Sequence, residues 1–254
     1  MRGSIRRWPA VCLTAVLATM LSACHGGSTA TGSNILPQQM SPGQSDAAFT
    51  SNSLGPVNLY PGAIIGADDM FKPHDGDTKT GGRGKTIDKI PCAPTEYLND
   101  YHIHVYLGIV YKGRQVAVPD AIGLNGPGPE QNGYISTAKC FYYIHTHDAS
   151  GMVHVESPNS LPPSATVYTL QNVLDVWGMK YSHTSFGPFK GEVHVFVGNP
   201  SSLGETTVSH YTKVKQAGKL GTISIKSHEV IWIEIGKPVT KGANLPPVTF
   251  YTEY

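Results

Sequence analysis

The chain has 254 residues, of which 40% are hydrophobic, 15% charged and 9% aromatic, with a formal net charge of +1. Lys and Arg number 19 against 18 Asp and Glu, so the chain lacks the basic excess of a nucleic-acid binder. The length supports one domain with a real core and does not force two.

The first element in chain order is a leader. Arg2, Arg6 and Arg7 precede an uncharged stretch from Trp8 to Cys24 that is mostly apolar between Val11 and Leu21. A positive end, a short apolar segment and small residues are the layout of an export signal. The apolar part is shorter than the about 20 residues that span a bilayer comfortably. It ends in Leu21-Ser22-Ala23-Cys24, which resembles the lipobox of bacterial lipoproteins. That resemblance implies cleavage of residues 1–23, lipid on Cys24, and stable anchoring by more than one acyl chain. The alternative is an ordinary signal peptide cut after Ala23. His25 stands where an Asp would resemble an inner-membrane retention signal. The expected address is therefore the cell envelope, at the outer membrane facing the periplasm.

Removing the leader takes three of the 19 basic side chains and none of the 18 acids, which leaves a formal charge near −2. No second long apolar run follows. A lipid anchor is thus the one membrane contact expected, with no nucleic-acid partner and no protein partner indicated. Of four cysteines, Cys12 leaves with the leader and Cys24 carries lipid. In an oxidising compartment the remaining Cys92 and Cys140 most simply form a disulfide, with a thiolate metal ligand as the alternative.

Residues 25–55 are rich in Ser, Gly, Thr, Asn, Gln and Pro, and Asp46 is their one charged side chain. Such a segment cannot bury enough apolar surface to fold. Residues 24–55 therefore read as a lipidated cysteine and a flexible tether spanning roughly 30 Å. Residues 56–254 read as a single β-rich domain. A short strand is expected near Val57–Tyr60 and a long loop over 72–90. His102 to Leu107 alternates, with Ile103, Val105 and Leu107 on one face and His102, His104 and Tyr106 on the other. A turn at Lys112-Gly113 leads to Gln115–Pro119. Further strands are expected over Phe141–His147, Met152–Glu156, Glu192–Val197, Thr222–Lys226, Val230–Ile235 and Val248–Tyr251. Leu170, Val173, Leu174 and Trp177 fall at helical spacing, with Thr169 as N-cap and Gly178 after the end. The expected fold class is mainly β: a single antiparallel β-sandwich or barrel-like domain with one short helix near 170–177.

Eleven histidines occur, and their spacing carries the chemistry. His102-Ile103-His104 and His145-Thr146-His147 are H-x-H pairs, and His154-Val155-Glu156 is an H-x-E. Strand residues i and i+2 share a face, so each pair offers two ligands side by side. Asp148-Ala149-Ser150-Gly151 has turn chemistry. As a hairpin loop of two or four residues it sets His147 opposite Met152, His145 opposite His154 and Tyr143 opposite Glu156. A three-residue loop with a bulge would break that register. Clustered imidazoles repel if protonated and need partners if buried, and a metal ion resolves both. The candidate ligands are His102, His104, His145, His147 and His154, with Glu156, Asp148 and Met152 as supporting or additional ligands. Copper or zinc suits this set best, and iron or nickel is compatible; the Met152 thioether would favour Cu(I). His25, His74, His210 and His228 read as surface residues, and His183 and His194 stay open.

The runs Tyr101-His102-Ile103-His104, Ile144-His145-Thr146-His147-Asp148-Ala149-Ser150-Gly151-Met152-Val153-His154-Val155-Glu156 and Val176-Trp177-Gly178 resemble a family of uncharacterised exported bacterial proteins. The resemblance covers about 90–236 and implies a shared site without naming its chemistry. Cupins, β-barrels that use H-x-H, Glu and a later His, are a looser likeness. Their Glu follows the H-x-H by a few residues, and neither Asp148 nor Glu156 fits that spacing. Three functions follow as expectations. They are a lipoprotein that handles or senses a transition metal, a cupin-like metalloenzyme, and an envelope assembly module with a structural histidine cluster. Apart from Asp148 and Glu156 there is no obvious general base, which favours binding over catalysis.

Overall fold

The structure is a computed structural model, and it describes residues 54–71, 76–98, 100–158, 168–215, 220–237, 240 and 242–251. The expected leader, Cys12, Cys24, His25, the tether up to residue 53 and His74 lie outside the described residues.

In the first half the strands are β1 (Val57–Asn58), β2 (Cys92–Ala93), β3 (Tyr101–Tyr111), β4 (Arg114–Val116), β5 (Leu124–Pro127), β6 (Ala138–Tyr142), β7 (Ile144–His145) and β8 (Met152–Ser157). Helix α1 (Leu170–Trp177) follows. The second half adds β9 (Tyr181–Ser182), β10 (Ser185–Phe186), β11 (Phe189–Lys190), β12 (Val193–Gly198), β13 (Thr207–Val208), β14 (Thr212–Lys213), β15 (Glu229–Ile235) and β16 (Val248–Thr249).

The principal sheet runs β14-β12-β15-β3-β8-β7, with β4 paired to the far end of β3. Strand β3, the longest, turns into β4 through Lys112 and Gly113, both at positive φ (50° and 80°), the backbone a tight hairpin demands. β3 and β15 are parallel, whereas every other pair in this sheet is antiparallel. The mainly β class with one short helix stands as expected, and the parallel pair is set within an otherwise antiparallel principal sheet. Side-chain alternation has the same period in both strand directions, so a sequence pattern carries no polarity. The sheets do not close into a barrel. The expected strand at Thr222–Lys226 is instead the end of a 3-10 turn and a single bridge from Ser224 to Thr169.

Alternation buries both faces of the sheet. One face carries Val105, Leu107, Ile109, Ile144, Val153, Val155, Ile231 and Ile233, packed with Leu170, Val173, Leu174 and Trp177 of α1. The helix has its expected bounds because Asn172 Oδ1 accepts from the Thr169 amide and hydroxyl, while Gly178 closes the end at φ 77°. The other face carries Tyr106, Met152, Phe196, Val230 and Trp232 under Val57, Val208 and Val248 of the small sheet β1-β16-β13. Here Gly108 is needed: a Cβ on it would lie 2.4 Å from the Trp232 ring. Fully burying apolar side chains of this size stabilises the fold by about 1.5–3 kcal/mol each. Among the described residues no helix is long and apolar enough to cross a membrane.

Candidate metal centre

The second face is apolar only over part of its length. Along β3, Tyr106 belongs to the apolar cluster, whereas His104 and His102, one and two alternations earlier, do not. The register sets His104 opposite His154 and His102 opposite Glu156, and on the next strand His145 opposite His154. Five of the expected ligands therefore converge because period-two alternation and three-strand register coincide.

The expected pairing of His145 with His154 is present, and the Glu156 amide donates to the Tyr143 carbonyl as that register requires. His147 leaves the ladder instead of facing Met152. Beyond His145 the chain turns to a different partner. The Thr146 amide donates to the Ile122 carbonyl, the Ala121 amide to the Thr146 carbonyl, and the Ile135 amide to the His147 carbonyl. The Thr146 hydroxyl accepts from the Ile122 amide and donates to the Pro119 carbonyl. This close approach needs Gly123, at φ 72°, where a Cβ would lie 2.2 Å from the Ile144 carbonyl oxygen. His147 nevertheless returns its ring to the cluster.

Nitrogen and oxygen atoms meet at ligand spacing. His145 Nε2 is 3.1 Å from His147 Nε2, and His104 Nε2 is 2.9 Å from His102 Nε2 and 3.2 Å from His154 Nδ1. Glu156 Oε1 lies 3.2 Å from His102 Nε2, 3.4 Å from His154 Nδ1 and 3.9 Å from His145 Nε2. Four ligands at about 2.0–2.1 Å from a tetrahedral ion stand about 3.3 Å apart, so the gaps have the size that a shared ion needs.

The tautomers of two imidazoles follow from their partners. His145 Nδ1 lies 2.8 Å from the Tyr142 carbonyl and His147 Nδ1 2.6 Å from the Ile135 carbonyl. A carbonyl only accepts, so both Nδ1 atoms carry the proton. In the neutral ring each Nε2 then presents a lone pair. Two lone pairs face each other across 3.1 Å.

Burial keeps these rings neutral. It lowers His104 to about 3, with His102, His228 and His147 adding to the effect, and His147 to about 4, against a backbone hydrogen bond to Ile135. It also holds His145 and His154 well below the ordinary histidine range and lowers His102. For Glu156, 1% exposed, burial and then Glu96 raise the carboxyl to about 8, against a weaker lowering influence from the Tyr97 backbone. Neither Glu156 oxygen receives a hydrogen bond of good geometry.

Glu96 borders the cluster and is the neighbouring carboxylate that sequence reasoning missed. Its Oε1 lies 3.4 Å from His147 Nε2 and 3.7 Å from His145 Nε2, is buried, and accepts no hydrogen bond. Burial raises its pKa. No H-x-E spacing marks it. It reaches the site because β2 pairs with β6 and Cys92 is bonded to Cys140, as expected of the two cysteines. That staple ends four residues before Glu96. The Tyr134 ring stacks on His147 at 4.6 Å and walls the cluster on that side. The side chains of His102 and Glu96 are 28% and 18% exposed and form the rim, while those of His145, His147, His154 and Glu156 are at most 6% exposed.

The other expected residues lie elsewhere. Asp148 is buried and fixes the turn: Oδ1 accepts from the Ser150 amide and hydroxyl, and Oδ2 from the Gly62 amide. Met152 belongs to the apolar cluster under the small sheet. His183 and His210 are exposed. His228 is half-buried against the Phe250 ring. His194 is buried and paired in register with Glu234, away from the cluster strands β8 and β7. No family model, curated protein or solved structure matches this chain. The buried His145, His147, His154 and Glu156 have the geometry to hold a metal ion, and so do His102, His104 and His154.

Proposed function

We propose that the protein is a cell-envelope lipoprotein that binds a transition metal in this cup and serves to hold, hand on or sense it. One observation carries the reading: His145 and His147, both protonated at Nδ1 by their bonds to carbonyls, aim two Nε2 lone pairs at each other across 3.1 Å. Two buried carboxyl oxygens that receive no hydrogen bond of good geometry border the same pair. The facing lone pairs repel one another and are relieved by a cation, which would also displace the proton that burial favours on Glu156. Five imidazoles and two carboxylates are the donor set of copper or zinc, with iron and nickel compatible. The Met152 position in the apolar cluster gives no added preference for Cu(I).

Enclosure supports holding an ion over transforming a substrate, since among the described residues of the cup His102 and Glu96 are the most exposed. The lipid anchor on Cys24, the tether and the outer-membrane address rest on the sequence Leu21-Ser22-Ala23-Cys24-His25. The test is to strip the purified chain with chelator, reload it separately with zinc and copper, and measure bound metal after exhaustive dialysis. At least one ion per chain is expected, and a chain that retains none overturns the proposal.

A further inference from the structure

The cup has more donors than one ion uses. His102, His104, His145, His147, His154, Glu96 and Glu156 all present ligand atoms, while a zinc or copper ion bound by protein takes four to six. The donors also fall into two groups, with His154 and Glu156 close enough to His145 and His147 to serve either. One group is a closed ring in which His102 Nε2, His104 Nε2, His154 Nδ1 and Glu156 Oε1 follow at 2.9, 3.2, 3.4 and 3.2 Å. The other is a triangle of His145 Nε2, His147 Nε2 and Glu96 Oε1 with edges of 3.1, 3.4 and 3.7 Å. An ion about 2.0–2.3 Å from every donor fits the centre of either group.

Resting on the metal-binding reading above, we propose that the cup is a two-ion centre, with one ion in the ring, one in the triangle, and Glu156 as the bridge. Glu156 is placed for that role. Its Oε1 lies 3.2 Å from His102, 3.4 Å from His154 and 3.9 Å from His145, and neither of its buried oxygens receives a hydrogen bond of good geometry. A carboxylate bridges two ions through one shared oxygen or through both, and Oε1 is the oxygen that borders both groups. Two-ion centres hold their ions about 3.5–4 Å apart, a separation that one carboxylate bridges.

The charges order the two events. Two carboxylates neutralise one divalent ion fully and two ions only in part. The second ion therefore binds more weakly than the first and brings an anion or hydroxide with it through the rim at His102 and Glu96. The triangle, with Glu96 and Glu156 both beside it, is the tighter half.

Zinc titration of the chelator-stripped full chain, with bound metal counted by elemental analysis, tests this. Two ions per chain, taken up in two steps, are expected. With copper, a dipolar coupling between two Cu(II) ions should appear in the electron paramagnetic resonance spectrum only as the second equivalent enters. The double variants H102A/H104A and E96Q/H147A should each retain one ion and lose the coupling. The wild-type titration needs no variant, so misfolding of either leaves the result readable. A single ion at saturation overturns the two-ion centre and leaves metal binding standing, whereas no ion overturns both. Two ions that both vanish in each double variant overturn the division into ring and triangle.

Discussion

Replacing Glu156 by Gln should make the metal-free protein more stable and the metal-bound protein less so. The Glu156 carboxyl is 1% exposed, and its pKa rises from an ordinary 4.5 to about 8 when metal-free. A raised carboxyl pKa means that the folded state holds a proton that the unfolded state releases. Stability is unaffected below about pH 4.5 and falls as pH rises from there toward 8. At pH 7 the unfolded chain gains about 1.36 kcal/mol for each pH unit above 4.5, about 3 kcal/mol in all. Glutamine removes that loss at nearly constant shape. Chemical denaturation of both chelator-treated proteins at pH 7 should place E156Q up to about 3 kcal/mol above wild type, and the gain should disappear near pH 4. Metal reverses the order. At a free zinc concentration 100-fold above Kd, binding adds about 2.7 kcal/mol to wild type. For a domain of this size that raises Tm by roughly 5–11 °C. E156Q should lose most of that rise. A metal-free E156Q less stable than wild type at pH 7, or one with an undiminished zinc response, would refute the reasoning.

Three further outcomes follow from the same structure. Gly123→Ala should destabilise the fold by about 1–3 kcal/mol from its positive φ alone. The added Cβ would also press on the Ile144 carbonyl beside His145, so zinc affinity measured by competition with a chelating dye should fall as well. Removing the disulfide with Cys92→Ser and Cys140→Ser reopens a loop with a sequence separation of 48, worth about 4 kcal/mol in a chain-entropy account. Denaturation should show that loss, and calorimetry should show weaker metal binding as Glu96 is freed. Glu229, 3% exposed, is raised by burial to about 7, against lowering contributions from Lys226 and Asn199. Its penalty therefore grows from about pH 4.5 to 7 and is constant above. Metal-free Glu229→Gln should gain up to about 3 kcal/mol at pH 8 and nothing near pH 4. A pH-independent gain would contradict the assignment.

Local rules in the sequence determined the pieces. Helix α1 stands at its expected bounds because its apolar stripe, Thr169 and Gly178 are signals within a few residues of one another. The pairs His102/His104, His145/His147 and His154/Glu156 were legible because alternation alone puts i and i+2 on one face. The pairing of His145 with His154 followed from one short loop. What tertiary structure alone decided involves partners distant in sequence. The parallel union of β15 with β3 is invisible to a pattern without polarity. Ile122 and Ile135 draw Thr146 and His147 out of the ladder, because buried backbone amides take whichever acceptor the fold presents. Glu96 carries no motif and enters the cup through a strand pair and a disulfide fixed 48 residues apart. The sequence thus determined which side chains were candidates for a metal. The fold decided that their lone pairs converge, because only three-dimensional register brings atoms from β3, β7, β8 and the segment after β2 within about 4 Å.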